Sequence, residues 1–318
     1  MDDGCHSRCL QTACAVLACA AILAACTGRS ADESLAAAKA HIAKNESPAA
    51  IIELKNTLQA RPDLAEARFL LGKLLLERED PAGAAIELSK ASALKFSPDQ
   101  VVPELATAYR LTGELNKVVE LDASTALAAP EAIARLKTQL AHAQAALGAG
   151  DGKVDATLAL ALGARADHAP AQLLRARLLY SRRDPDAAMR LVDEVIARTP
   201  DDVDALTLKA DMLVARRQGD AAMALYVKAL ALKPADIAAH SGLLPNSFAS
   251  NALAAVSTQL DAMKKVRPHH PRTRYFEARL ALQRGDLKSA SMHGQQLLKI
   301  APEHPEILYL VGAVAMQT

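Results

Sequence analysis

The residues of this chain best suited to chemistry are its nine histidines and five cysteines, and their spacing argues against a catalytic or metal centre. The histidines are scattered from His6 to His304, mostly near turns or unit boundaries. His269 and His270 are adjacent in a proline-rich loop, Pro268 to Pro271, where neighbouring rings do not converge on one ion. There is no Gly-x-Ser-x-Gly elbow, and the glycine-rich Gly148–Gly152 lacks the following Lys-Ser/Thr pair of a phosphate loop. The expectation is a protein that is not an enzyme, with no catalytic residue, no metal and no cofactor.

All five cysteines, Cys5, Cys9, Cys14, Cys19 and Cys26, fall at the start of the chain. The body after Cys26 contains none, which excludes a disulfide framework or thiolate site there and suits an oxidising compartment. Ala13 to Cys26 carries no charge. It is too short for a membrane span of roughly 20 residues, but it has the length of a secretory signal's apolar core. It ends in Leu23-Ala24-Ala25-Cys26, which resembles a bacterial lipobox. That resemblance implies a signal peptide over 1–25, a lipidated Cys26 opening a tether over 26–31, and a multiply acylated, firm membrane anchor. Thr27 after the cysteine, by resemblance to Gram-negative lipoproteins, favours the periplasmic face of the outer membrane. Asp2 and Asp3 stand against Arg8 where signals usually begin positive, which puts the assigned start in question. The alternative is an ordinary cleaved signal or a short buried helix.

The elements that would position any site are set by a fixed beat. Pro200, Pro234, Pro268 and Pro302 recur every 34 residues. Ala188, Ala222, Val256 and Ala290 keep step, as do Ala176, Ala210 and Ala278. Small residues at fixed spacing let two helices cross closely, and a proline after the second helix stops it. This pattern resembles the tetratricopeptide repeat, a pair of antiparallel helices that buries its apolar face only by stacking on its neighbours. The fold class expected is all-α, a right-handed superhelical solenoid of tetratricopeptide helix pairs over 32–318, with about eight repeats and an incomplete ninth. High alanine and leucine content, 3% aromatics and no tryptophan fit closely packed helices.

Within the array, Ser47 is expected to cap and Pro48 to open a second helix. Two extra residues between Pro130 and Pro200 are expected in the turn Gly148–Gly152. Pro245 is expected to break a first helix, leaving a loop around Leu244 to Ser250. In the final segment Ile307, Leu308, Leu310, Val311, Val314 and Met316 cannot all be covered by the repeat before them. A fragment of a longer array is favoured over a face that meets a partner.

In other tetratricopeptide arrays the first helix of each repeat lines a concave groove, with the residue after the small column pointing inward. By that resemblance the column reads Lys39, Lys73, Thr107, Arg177, Asp211, Pro245 and Arg279. Arg110 and Tyr180 lie three residues from the column and Tyr275 four, and they share the face. The ligand-groove candidates are therefore Lys39, Lys73, Arg110, Arg177, Tyr180, Tyr275 and Arg279. The expected partners are proteins, through an acidic peptide, or an anionic polysaccharide. The plainer reading is that long basic side chains solvate an exposed face. A net charge of +1 gives no reason to expect nucleic acid.

Three stretches carry a further resemblance: Ala49 to Gly72, Asp204 to Pro234, and Leu297 to Ala315. With the lipobox, they make the chain similar to the N-terminal part of the PEP-CTERM system TPR-repeat lipoprotein (PrsT) family, whose members carry many more repeats. The resemblance implies a setting in exosortase-type protein sorting and exopolysaccharide production. Two other readings stand beside it. One is a lipoprotein that assembles an outer-membrane pore or secretin. The other is a fragment of a larger protein whose missing part recruits an enzyme.

Overall fold

A computed structural model of the chain describes residues 29–317. The proposed signal peptide and Cys26 lie outside the described residues. The described residues form α-helices joined by short turns, with no strand among them. In chain order these are α1 Ala31–Ala43, α2 Ser47–Ala60, α3 Ala65–Glu77, α4 Pro81–Ala93, α5 Pro98–Leu111, α6 Leu115–Ser124, α7 Pro130–Ala146 and α8 Asp151–Ala164. They continue as α9 Ala169–Ser181, α10 Pro185–Arg198, α11 Val203–Ala215, α12 Gly219–Leu232, α13 Ile237–Ala249, α14 Leu253–Val266, α15 Pro271–Gln283, α16 Leu287–Ile300 and α17 Pro305–Ala315. The chain divides into two compact units, Met1–Ala171 and Gln172–Thr318, and the division falls inside α9.

Both repeating columns are buried where helices meet. In the first unit Ala38, Ala50, Ala84 and Ala106 are fully buried; in the second so are Ala176, Ala188, Ala210, Ala222, Val256, Ala278 and Ala290. Larger side chains fill the space beside them, among them Leu54 and Leu88 in the first unit and Leu206, Leu244 and Leu297 in the second. Each buried leucine of this kind contributes about 1.5–3 kcal/mol of apolar transfer. The contact is close enough at Gly72 that a Cβ there would lie 2.6 Å from Leu88 Cγ.

The turn inside each pair repeats as strictly as the helices. The residue after the first helix takes a left-handed conformation at Asn45, Glu79, Gly113, Gly148, Arg183, Arg217, Asn251 and Gly285. The next amide donates back five positions, closing a six-residue loop, as from Asp80 to the Leu75 carbonyl at 2.8 Å and from Asp286 to the Ala281 carbonyl at 2.9 Å. This is a Schellman closure, and it satisfies carbonyls that a helix end otherwise leaves unpaired. Glycine adopts the conformation freely; elsewhere it costs about 1–2 kcal/mol, which the surrounding packing offsets. The same closure occurs once between pairs, at Lys95 with the Phe96 amide donating to the Ala91 carbonyl at 3.0 Å; at five other junctions between pairs the chain turns differently. Arg61, Thr199, Lys233, Arg267 and Ala301 leave the helix with positive ψ, outside the helical region, and each precedes a proline of the 34-residue column. The proline ring excludes helical angles from the residue before it, so it fixes the exit.

Three expectations are corrected. The cap of α2 is Glu46; Ser47 is already helical, and Pro48 falls in the first turn where its missing N–H is harmless. The loop between α7 and α8 takes one of the two extra residues, since α8 starts three positions after Gly148 where its counterparts start two after their turn residue. The other lies between Gly113 and Gly148, in a stretch that includes the longer α7. Pro245 does not break its helix: α13 runs continuously through it. The missing N–H removes one bond, but Leu244 and Phe248 on the same helix are buried and Phe248 stacks on Phe276 at 6.1 Å. Tertiary burial outweighs the local defect. In α17, Ile307, Leu310 and Val314 are buried while Leu308 and Met316 are exposed.

Three successive first helices in the second unit, α11, α13 and α15, start on side-chain caps at the same beat. Asp202 accepts from the Ala205 amide at 2.9 Å, Asp236 from Ala239 at 2.9 Å, and His270 through Nδ1 from Arg272 at 3.1 Å. Asp236 is the most buried of the three. Asp236→Ala is expected to cost about 1–2 kcal/mol in urea unfolding, and Asp236→Asn to recover most of that. Equal midpoints for both variants would show that the cap contributes nothing.

Candidate functional site

The second unit contains a groove of about 700 Å³. Three successive members of the inward column line it: Asp211 from α11, Pro245 from α13 and Arg279 from α15. Ile237 and Phe276 add apolar surface, and Tyr275 stands beside Arg279. The helix period explains this gathering, because positions 34 residues apart occupy the same point of successive first helices.

Each charged group is held from behind. The Arg279 guanidinium lies over the Phe248 ring, 4.3 Å from its centroid. Stacking fixes the plane of the fork while leaving its edge donors free to turn toward a ligand. Burial raises the Tyr275 hydroxyl above the usual phenol range, aided by Glu306 and opposed by a hydrogen bond from Arg279. Arg272, at the start of α15, is engaged with Glu306 at 3.0 Å. Asp211 accepts a 2.5 Å hydrogen bond from the Tyr226 hydroxyl. Tyr226 is among the largest fully buried side chains, with its ring against Gly242, where a Cβ would overlap it. Partial desolvation raises the Asp211 carboxyl, while the Tyr226 bond, the charges of Arg177 and Arg272 and the residue's exposure to solvent act against that rise. The same burial, with Asp211 beside it, pushes the Tyr226 hydroxyl strongly up, so it stays a donor.

The sign of the Asp211 shift gives a pH prediction. An acid whose folded value lies above its unfolded value weakens the fold once pH exceeds the unfolded value. Asp211→Asn keeps an oxygen for Tyr226 and removes the charge. It is therefore expected to raise the unfolding midpoint at pH 7 slightly, because the group is exposed and screened, with the gain fading as pH falls through the carboxylate range. A gain that persists undiminished at acid pH would assign it to something other than ionisation.

The remaining candidates are placed differently. In the first unit Lys39 pairs with Glu66 at 2.7 Å, Lys73 is exposed, and Arg110 is half-buried and donates to Gln139 at 2.5 Å. Burial lowers the Arg110 guanidinium. In the second unit Arg177 is exposed and Tyr180 half-buried, and neither lines the groove. A polar pocket of about 620 Å³ in the first unit includes Thr107 of the column. Its charges are paired with each other, Arg135 with Glu104 at 2.9 Å and Arg165 with Glu131 at 2.5 Å. His168, which also lines it, is kept toward the neutral form by burial against the pull of Glu131. Tyr226 was not among the sequence candidates. The available signal was Gly242, a mid-helix glycine in an alanine-rich chain, which marks a large neighbour.

Among the described residues no helix is long and apolar enough to cross a membrane, and no group of three or more His, Cys, Asp or Glu is placed to hold a metal ion.

Comparison with known proteins agrees with this geometry. The tetratricopeptide repeat family matches residues 35–100 and 173–237. Yeast Tom70 is similar in structure at 16% identity and a TM-score of 0.57, over 92% of this chain and 64% of that one. The APC/C hetero-tetramer Cut9–Hcn1 gives 13% identity and a TM-score of 0.58, over 92% of this chain and 58% of that one. The chain thus spans less than two thirds of either. PilW, a type IV pilus biogenesis factor, gives 17% identity and a TM-score of 0.49, over 67% of this chain and 98% of that one. No curated protein matches the sequence. The class is an all-α protein built of tetratricopeptide repeats.

Proposed function

We propose that this protein is a non-catalytic scaffold lipoprotein that holds a protein segment in the groove of its second unit and acts in exopolysaccharide production and PEP-CTERM protein sorting. The observation that carries the binding role is the groove: an apolar floor flanked by a stacked Arg279 and a pinned Asp211. Tetratricopeptide repeats mediate protein–protein interaction, and these repeats supply such a surface. The setting rests on the lipobox Leu23–Cys26 and the three stretches that resemble the PrsT family. Anchoring at Cys26 on the periplasmic face of the outer membrane would place the groove where exported chains pass.

The test is a deletion of the gene, scored by exopolysaccharide yield and by processing of a reporter that ends in a PEP-CTERM tail. Loss of either is expected, with rescue by the wild-type chain and not by Cys26→Ala. Normal yield and normal processing in the deletion would overturn the assigned setting. The anchor has its own readout. Alkyne fatty-acid label is expected on the wild type and absent from Cys26→Ala; no label on the wild type would remove the lipoprotein reading.

A further inference from the structure

If the groove of the second unit holds a protein segment, its chemistry also selects which segment and in which direction. The geometry points to an occupant that presents an acidic side chain to Arg279, an apolar residue to the floor beside Pro245, and a basic side chain or other N–H donor to Asp211. This rests on the binding role given above and adds the class and polarity of the ligand.

The argument runs along the column. Asp211, Pro245 and Arg279 come from three successive first helices, so one segment laid across them meets an acid, an apolar surface and a base in that order. Neither charged end is consumed by the fold. Arg279 is stacked on Phe248 beside Tyr275, which leaves donors of its five unspent and its plane set for a carboxylate. Arg272, the other arginine on α15 in the groove, is engaged by Glu306, and Arg217 lies in the turn after α11, so Arg279 is the arginine of α15 better placed for a ligand acid. At the far end the Tyr226 hydroxyl engages Asp211 Oδ1 and fixes the carboxylate's orientation, while Oδ2 keeps its acceptor capacity.

An acid at this point is itself informative. The other charged members of the column in the second unit, Arg177 one step before it and Arg279 two steps after it, are basic. The fold commits a buried tyrosine to orient this exposed carboxylate. The same acid separates the two ligand classes. A uniformly anionic polysaccharide would set a carboxylate against Asp211 and lay hydroxyls over Ile237 and Phe276. A peptide segment with charges of both signs around an apolar residue matches every part of the surface, and its wrong direction is penalised by two like-charge contacts.

The experiment is selection of a random twelve-residue peptide display library on the purified full chain, repeated on Arg279→Ala, Arg279→Lys and Asp211→Asn. The expected result is enrichment of segments with Asp or Glu on one side of Leu, Ile or Phe and Lys or Arg on the other. Arg279→Ala is expected to weaken a selected peptide about tenfold or more and to erase the acidic preference. Arg279→Lys, which keeps the charge and loses the fork, falls between. Asp211→Asn is expected to erase the basic preference and leave the acidic one. No enrichment, enrichment unchanged by all three variants, or selection of uniformly acidic segments that alginate displaces would overturn the proposal. The gene-deletion phenotype is independent: a phenotype with no peptide selectivity sinks this inference alone, and selectivity with no phenotype sinks the assigned setting alone.

Discussion

Tyr226→Ala is expected to cost about 3–5 kcal/mol, the largest loss for a single change in the second unit. The side chain is 2% exposed and packs against Gly242 on the next helix, so truncation leaves a cavity that backbone on both sides prevents from collapsing. It also removes the donor that orients Asp211. The measurement is urea unfolding followed by circular dichroism, with Tyr226→Phe as control. Phenylalanine keeps the ring and loses the hydroxyl, so its cost is expected at about 1 kcal/mol. Equal costs for the two variants would show that the hydrogen bond, and not the packing, holds this part of the unit together.

The second large effect contrasts two glycines of one column. Gly72→Ala is expected to destabilise the first unit by about 1–3 kcal/mol, because the new Cβ would stand 2.6 Å from Leu88 Cγ and 3.3 Å from the Ala84 carbonyl oxygen. Leu88 is fully buried and has no room to withdraw. Gly312→Ala, in α17, meets nothing within 4 Å and is expected to gain about 0.5–1 kcal/mol from helix propensity alone. Thermal midpoints that move in opposite directions would support this account. Two losses of similar size would mean that glycine serves backbone geometry at both positions, and the crossing-distance argument would fail.

These two glycines show why part of the fold was legible in the sequence. Spacing reveals where helices cross, since only small side chains fit there, and Ala38, Ala176, Ala210 and Ala278 are fully buried as the beat requires. Spacing does not reveal how tight each crossing is, which depends on the partner helix. Pro245 was misread for the same reason. Local preference argues for a break, but the burial of Leu244 and Phe248 decides the outcome from outside the segment. At the groove, the inward column placed Arg279 and Tyr275 together because they share a helix face. It could not show that Lys39 and Arg110 spend their charge on Glu66 and Gln139, since those partners sit on neighbouring helices. Nor could it show that Tyr226, on a second helix, orients Asp211.

The recurrent left-handed turn has a consequence for how such a chain changes over generations. Each pair is closed by the same six-residue bond, whether the turn residue is Asn45, Glu79, Gly113 or Arg183. A junction that does not depend on the identity of its residue is a junction at which copies can be exchanged. Duplication or loss of one 34-residue block rejoins an ordinary helix end to an ordinary helix start, with no bespoke contact to rebuild. Copy number can therefore drift while the inward column, carried one position per block, is rewritten one letter at a time.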